Sequence, residues 1–184
     1  MALVPIVEGH AEVHSIPVLM RRLGVEVTRP FRVKRNQIVR PGELERAVLL
    51  AVADRAHASA VLVLLDADDD CPAKLAPALL KRCRQVTDLP VSVVFATREL
   101  EAWFLGGIQS LQGQRGIRAD AAYEADPEAP RGAKERVEAL MTGSYVDVAD
   151  QPALMAVLDV EAARQRCPSL DKLLRDLHGF GMLP

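Results

Sequence analysis

The sequence predicts an α/β protein, a three-layer sandwich around a mainly parallel four-stranded sheet that is followed by a C-terminal helical extension. Three observations lead to this fold class. Short apolar runs alternate with segments of helical periodicity over residues 1–108. The clearest runs are continuously apolar, as is typical of strands covered on both faces. Residues 133–178 then show helical spacing alone.

The predicted elements follow one another as strand 2–7, helix 11–23, strand 25–33, helix 42–57, strand 58–68, helix 72–84, strand 90–97 and a helix from about 99 to 106. Pro17 lies in the middle of the first helix, where a kink is expected. Pro30 marks the second strand as irregular or as an edge strand. Pro72 suits the first turn of a helix, and Asp69 or Asp70 is expected to cap that helix.

The 184 residues fit one domain, or one domain with a small appendage. Residues 1–108 are predicted to form the α/β core. Residues 109–132 are rich in Gly, Gln, Ala, Asp and Pro, which predicts a long surface loop. Residues 133–184 are expected to form a helical extension that packs on the core. Trp103, the single tryptophan, is expected to anchor the core rather than to stack on a base.

The composition excludes several classes of protein. Apolar residues make up 49% of the chain and charged residues 26%, which excludes intrinsic disorder. The three cysteines form no CxxC pair, so neither a disulfide framework nor a zinc knuckle is expected. The sequence predicts neither a signal peptide nor a membrane span, and we expect a cytoplasmic protein. The net charge of -2 does not decide whether nucleic acid binds.

Acidic residues follow two of the predicted strands. Glu8 comes directly after the first strand, and Asp66 and Asp68 end the third. Ligands of an open α/β sheet bind at the carboxyl ends of its strands. Asp66 and Asp68 project to one side of an extended chain, and Glu8 and Glu12 lie four residues apart across a glycine turn. Each acid alone would more often be a solvated strand end or a helix cap, but together they predict an acidic site.

The predicted cluster calls for a cation, because four converging carboxylates repel one another. Oxygen ligands without a Cys or His pair at zinc spacing favour Mg²⁺ or Mn²⁺ over Zn²⁺. His10 and His14 are spaced i, i+4 but are expected on a solvated helix face. Two ions about 3.5–4 Å apart could activate a water and stabilise the leaving oxygen of a phosphodiester.

Two motifs resemble those of a known domain. VEGHAE after the first strand and LLDADDD at the end of the third resemble the TOPRIM motifs of topoisomerases, primases and nucleases. The second acid of VEGHAE is similar to the EGxxD/E version in the overcoming-lysogenization-defect (OLD) nucleases. RELEAWFL, PRGAKERVEAL and the tail from DQPALM onward resemble a bacterial TOPRIM-like family of unknown function, over essentially the whole chain. The resemblance implies a TOPRIM/Rossmann-like fold and a partner ATPase of the ABC/AAA type.

The resemblance also implies roles for single residues. Glu8 would be the catalytic or metal-positioning acid, and Asp66 and Asp68 would bind metal. Glu12 would complete a second ion site. Lys134 would be the lysine that some TOPRIM nucleases direct at the transition state.

Three further acids could join the cluster. Glu99 and Glu101 fall near the end of the fourth strand, although acids in the first turn of a helix are also favoured by the helix dipole. Asp70 is the third, with the capping role as its alternative.

A basic segment, RPFRVKRNQIVR, contains Arg29, Arg32, Lys34 and Arg35 and no acid. Such a run often only faces solvent. Next to an acidic metal site, however, cations are needed to hold a phosphate backbone. The segment is therefore the best candidate for binding nucleic acid.

The sequence supports two functions from different classes. The first is a divalent-metal-dependent phosphodiesterase, a DNA or RNA nuclease that works with a partner ATPase in genome maintenance or phage defence. The second is a non-catalytic TOPRIM-like partner module that binds nucleic acid or an ATPase. A receiver-type phosphoacceptor is a distant third, because the expected lysine after the last strands is not evident.

Overall fold

The computed structural model of the protein describes residues 1–53, 55–129 and 131–184. These residues contain four strands and ten helices. In chain order they are β1 (Ala2–Val7), α1 (Glu12–Arg22), β2 (Phe31–Arg32), α2 (Arg35–Ile38), α3 (Glu43–Val52), β3 (Ala58–Asp66), α4 (Pro72–Cys83), β4 (Val91–Ala96), α5 (Ala102–Gly106), α6 (Ile108–Leu111), α7 (Ala133–Ala139), α8 (Asp147–Met155), α9 (Val160–Arg166) and α10 (Pro168–Gly179).

The sheet is parallel throughout and has the strand order β2-β1-β3-β4. Ile6 of β1 pairs with Phe31 on one side and with Val63 on the other. Val63 pairs in turn with Val93 of β4. The predicted α/β fold class is confirmed, and because the strands are parallel, their carboxyl ends meet at one edge of the sheet.

Both faces of the sheet are covered by helices, which gives the three layers. Along β3, Leu62 and Leu64 enter one apolar core, and Val61, Val63 and Leu65 enter the other. The first core is closed by α1, α5 and the helices α8 to α10, and the second by α2, α3 and α4. This double burial explains why β3 is continuously apolar in sequence.

The second strand is much shorter than the predicted span 25–33. Only Phe31–Arg32 forms a strand, at the edge of the sheet, and Val27 makes an isolated bridge to Leu3. Proline has no N–H to donate to a ladder, so Pro30 interrupts the pairing between these two contacts. The expectation of an irregular edge strand is confirmed.

The segment predicted as a surface loop, 109–132, begins inside α6 and is fixed to the rest of the molecule. Ile117 pairs with Met141, and Ala121 is fully buried. Gly116 has a φ of +86°, a conformation that lets the chain turn back before this pairing. Burial of its apolar side chains explains why much of the segment does not run free over the surface.

The helical extension shares a core with the α/β part. α8 packs against α1, α10 against β4, and α9 against α5. Trp103 of α5 is fully buried, as expected, and its indole N–H donates to Ser169 Oγ at 2.8 Å. Within the described ranges, no helix combines the length and the apolar character needed to cross a membrane.

Candidate active site

A cavity of about 460 Å³ opens at the carboxyl edge of the sheet, where β1 and β3 end. Residues of both the α/β part and the extension line it: Glu8, Gly9, His10, Ala11, Glu12, Arg32, Asp66, Glu99, Glu101, Lys134, Asp147, Val148 and Gln151. The structure therefore brings together most of the acids that the sequence singles out.

Glu8 and Glu12 lie on either side of the turn that joins β1 to α1. Glu12 is the first residue of α1, and its side chain is buried, with 7% exposed. Among the described residues, neither Glu8 Oε2 nor Glu12 Oε2 has a hydrogen-bond partner, although both atoms are buried. A β-carbon on Gly9 would lie 2.0 Å from Glu12 Oε2, so only glycine at this position leaves room for the carboxylate.

Asp66 is the last residue of β3, and its carboxylate points toward the loop after β4. The backbone N–H of Leu100 donates to Asp66 Oδ1 at 2.9 Å. Burial raises the pKa of Asp66 well above its ordinary value, and the nearby charges of Glu12, Glu101 and Glu8 raise it further. Asp66 is thus the residue at which the negative charges of the cavity converge.

Glu101 is buried, with 6% exposed, and is held by two donors from the extension. Tyr145 Oη donates to Glu101 Oε1 at 3.0 Å, and Gln151 Nε2 donates to the same oxygen at 3.2 Å. Ser15 Oγ in turn donates to Gln151 Oε1 at 2.6 Å. Burial raises the pKa of Glu101 despite these bonds.

Lys134 lies at the start of α7 and reaches the same cavity. Its backbone N–H donates to Glu99 Oε2 at 2.8 Å, and its Nζ lies 2.6 Å from Asp147 Oδ1. The hydrogen bond to Asp147 raises the pKa of Lys134. The lysine implied by the resemblance therefore stands beside the acidic cluster as a cation.

The burial and crowding of the acids change their protonation. Burial raises the pKa of Glu8 from 4.5 to about 7, and the charges of Glu12 and Asp68 add to this rise while that of Arg35 opposes it. The pKa of Glu12 is raised as well, chiefly by burial. A site that disfavours its own charged carboxylates in this way suits a bound cation.

The donor set fits a hard divalent cation. Its members are carboxylates, and two of them present buried oxygens without a partner in the described part of the chain. As the side chains stand, no three His, Cys, Asp or Glu residues of that part form a ready set of metal ligands. Binding would thus require small rotations of the carboxylates toward a shared ion.

Asp68 and Asp70 lie outside the cavity. Asp68 is exposed and has a φ of +48°, and its charge still reaches Glu8. Asp70 pairs with Arg35 at 2.5 Å, and Asp69 pairs with Arg98. The expectation that Asp69 or Asp70 caps α4 is wrong: the residue before the helix is Cys71, with no side-chain cap bond among the described atoms. Both acids pair with arginines instead.

The basic segment divides into two parts. Arg32 lines the cavity, and Arg35 lies over the ring of Phe95 at 5.0 Å and faces Glu8. Arg32 Nε and Arg35 Nη1 are buried donors without a partner in the described residues. Arg29 and Lys34 are exposed and do not line the cavity.

Apart from Lys134, sequence reasoning missed the residues that the extension contributes. Tyr145, Asp147 and Gln151 lie more than 35 residues from the nearest predicted acid in the chain, Glu101. A polar residue on an apolar helical face is the one available indication, and Gln151 fits it, because it is buried beside Leu154 and Met155 of α8. Ser15 is a buried hydroxyl on α1 of the same kind.

The larger cavity, about 700 Å³, lies elsewhere, between α1, α9, α10 and the chain end. Its lining combines aliphatic and charged side chains, and its arginines pair with neighbours, as Arg164 does with Asp171 at 2.8 Å. Such satisfied surface pairs do not indicate chemistry.

Comparison with known families gives one match. The family described as "Domain of unknown function (DUF4276)" matches residues 7–178, which is nearly the whole chain and includes every residue of the cavity. Neither the curated proteins nor the solved structures yielded a match.

Proposed function

The chain belongs to the DUF4276 family, and we propose that it is a divalent-metal-dependent phosphodiesterase, most simply a DNA or RNA nuclease. The observation that carries the proposal is the carboxylate of Glu12. It is buried, one of its oxygens lacks a partner among the described residues, and it lines a cavity together with four other glutamates and aspartates from the sheet edge. A buried carboxylate oxygen without a hydrogen-bond donor is costly, and a cation would remove that cost.

Glu8, Glu12 and Asp66 would hold Mg²⁺ or Mn²⁺, because hard cations prefer carboxylate oxygens. Asp68 lies outside the cavity, but its charge acts on Glu8, so it would add to the negative potential that attracts the ion. When bound, the ion would supply a Lewis acid for the phosphate and lower the pKa of a water.

The remaining residues of the cavity have electrostatic and positioning roles in this proposal. Lys134, held by Asp147, and Arg32 offer positive charge to the oxygens of a phosphate. Tyr145 and Gln151 fix the side chain of Glu101, so its carboxylate keeps one orientation in the acidic cavity. Glu99 ties the start of α7 to the loop after β4.

We also propose that the protein is related to the TOPRIM nucleases, which the motifs around Glu8 and Asp66 support. By the same resemblance, we propose that the protein works in the cytoplasm with an ABC/AAA-type ATPase, in genome maintenance or phage defence. Arg32 and Arg35 are the part of the basic segment that we propose to contact nucleic acid, because both lie near the cavity.

The direct test is cleavage of plasmid and single-stranded DNA and RNA with Mg²⁺ or Mn²⁺. The wild type is expected to cleave at least one substrate, and Glu12→Gln and Asp66→Asn are expected to lose at least 100-fold, in line with the several kcal/mol that metal catalysis supplies. Glu161→Gln, which alters an exposed acid on α9, is the control. Binding of nucleic acid without cleavage by any of the proteins would favour the partner module instead.

A further inference from the structure

Two hydrogen bonds join the loops that follow β3 and β4 next to the acidic cavity. The backbone N–H of Asp68 donates to the carbonyl of Arg98 at 3.0 Å, and Arg98 Nη1 donates to the carbonyl of Asp68 at 2.9 Å. Both residues have positive φ, +48° for Asp68 and +67° for Arg98. Residues other than glycine seldom adopt this conformation, and strained residues of this kind cluster at active sites and ligand clamps.

Beside these two hydrogen bonds, two guanidinium groups contact one carboxylate. Arg98 Nη1 lies 3.1 Å from Asp69 Oδ1, and Arg131 Nη2 contacts the same oxygen. Asp69 and Arg131 are exposed, so this pairing is weak and open to exchange with an anion from solution. A phosphate has more oxygens than one carboxylate and can accept from both arginines at once.

This pair of arginines adjoins the acidic cavity. Asp68, Asp69, Arg98, Glu99 and Arg131 line a small cavity of about 120 Å³, and Glu99 also lines the cavity that holds Glu8 and Asp66. An anion bound by the arginines would therefore lie next to the group that occupies the acidic cavity.

We propose that Arg98 and Arg131 bind the phosphate adjacent to the scissile one, with Asp69 occupying the subsite until substrate displaces it. The inference rests on the proposed phosphodiesterase function and narrows its substrate to a polynucleotide, which has neighbouring phosphates. A single nucleotide monophosphate could not fill both cavities with phosphate.

Binding is measured first, by fluorescence anisotropy of a short labelled single-stranded oligonucleotide with Ca²⁺, over a range of salt concentrations. Arg131→Ala is expected to weaken binding about tenfold, as for the loss of a charge-assisted hydrogen bond. The slope of log K against log salt should fall by about 0.7, the value for one phosphate contact on a single strand. Asp69→Asn should strengthen binding by up to about fivefold, because it removes the competing carboxylate.

The matched control is Arg175→Ala. Arg175 is an exposed arginine that pairs with an acid on its own helix, with a side-chain exposure of 67% against 73% for Arg131. Arg175→Ala removes the same charge far from the two cavities, so its affinity for the oligonucleotide and its salt slope should equal those of the wild type. Arg131 also has its side chain on the surface, so Arg131→Ala is expected to fold.

Cleavage gives the second readout. With Mn²⁺, Arg131→Ala should lower the ratio of kcat/KM for the oligonucleotide to kcat/KM for bis(p-nitrophenyl) phosphate, which has one phosphate. If the wild type cleaves but Arg131→Ala matches Arg175→Ala in binding, slope and ratio, the subsite is refuted while the phosphodiesterase stands. If the binding differences appear and no variant, nor the wild type, cleaves either substrate, Arg98 and Arg131 bind a backbone phosphate, but the phosphodiesterase and a place next to a scissile phosphate are refuted.

Discussion

Glu12 combines burial with an oxygen that has no partner among the described residues. Nearly all buried polar groups in native proteins are hydrogen-bonded, so such an atom calls for an explanation. Neutralisation of the group by a proton, or its use by a cation, would each remove the cost. The raised pKa of Glu12 fits the first in metal-free protein, and the proposed function supplies the second.

Glu12→Gln should therefore have opposite effects on stability and on metal binding. In EDTA at pH 8 the variant should gain about 1 kcal/mol, or roughly 2–4 °C in Tm, because the amide of Gln carries no charge that burial would penalise. Added Mn²⁺ should raise the Tm of the wild type and leave that of the variant nearly unchanged. Thermal melts with and without Mn²⁺ measure both effects. A variant that melts lower than the wild type in EDTA would contradict the claim that the buried carboxylate of Glu12 lowers the stability of the metal-free protein.

Two tyrosines provide a matched pair for the role of Glu101. Tyr145 Oη donates to Glu101, whereas the buried Tyr123 Oη has no partner in the described part of the chain. Tyr145→Phe should cost about 1–3 kcal/mol in the free energy of unfolding and lower kcat, because Glu101 loses a fixed donor. Tyr123→Phe should be neutral or slightly stabilising. Urea denaturation and steady-state kinetics check these outcomes, and equal effects of the two variants would contradict them.

For single site residues, the sequence predicts those that directly follow a strand. It does not predict those that are distant in the chain and reach the site only through tertiary packing. Glu8 and Asp66 were predictable because a buried parallel strand must end at the ligand-binding edge. Asp68 and Asp70 follow the same strand, yet they lie outside the cavity because the chain turns at the positive φ of Asp68. Gln151 could not be predicted from the sequence, because its contact with Glu101 depends on how α8 packs.

Among the elements, the turn between β1 and α1 determines the shape of the acidic site. Gly9 leaves space that the Glu12 carboxylate fills, and the atom in the way of a β-carbon is the end of a flexible side chain. An added methyl group would therefore move the carboxylate rather than the backbone.

Gly9→Ala is expected to keep the fold and to weaken Mn²⁺ binding by at least about tenfold, which corresponds to roughly 1.4 kcal/mol. Gly143→Ala is the control, because no described atom lies within 4 Å of a β-carbon at Gly143 and its φ is not in the left-handed region. Calorimetric titration with Mn²⁺ measures the affinity, and circular dichroism checks the fold. Wild-type affinity in Gly9→Ala would show that the position of Glu12 is unimportant for the metal.

The elements themselves were largely predictable where burial is continuous. β1, β3 and β4 lie between two apolar cores, so their sequences are almost wholly apolar, with Ser59, Ser92 and the terminal Asp66 of β3 as the polar exceptions. The predicted second strand, 25–33, is longer than β2, since the β-forming residues around Pro30 cannot complete a ladder of hydrogen bonds. The helix expected from 99 begins only at Ala102, because Asp66 accepts the N–H of Leu100 and holds the chain in a turn before α5.

On the scale of the whole molecule, the acidic cavity couples stability to pH. The pKa of Glu8 is about 7 in the folded protein and 4.5 ordinarily, so the folded state favours the protonated form. Its contribution to stability is present below pH 4.5 and is lost as pH rises through 7. The raised pKa values of Asp66, Glu12 and Glu101 act in the same direction.

Urea denaturation in EDTA should therefore show stability that falls between about pH 5 and pH 8, apart from contributions of other groups. Mg²⁺ at millimolar concentration should reduce this loss, because the ion binds the ionised carboxylates. Glu8→Gln should show a shallower fall than the wild type in EDTA. The same pH dependence in Glu8→Gln and the wild type would exclude Glu8 as a cause.

The fold class of the whole molecule followed from the sequence, but the part played by the extension did not. Residues 133–184 were expected to pack on the core, and helical periodicity is enough to predict that an apolar face is buried. It does not specify which edge of the sheet the helices reach. In the structure, Lys134, Asp147 and Gln151 close one wall of the cavity, so the extension is part of the candidate site.

A crystal structure of the protein soaked with Mn²⁺ tests most directly whether the cavity at the sheet edge binds a divalent cation. We expect an anomalous peak with carboxylate oxygens of Glu8, Glu12 and Asp66 at about 2.0–2.6 Å, and no such peak in Glu12→Gln crystals soaked in the same way. Crystals of the wild type in which Mn²⁺ occupies other positions, while these carboxylates remain as they are in the metal-free protein, would contradict the proposed metal site.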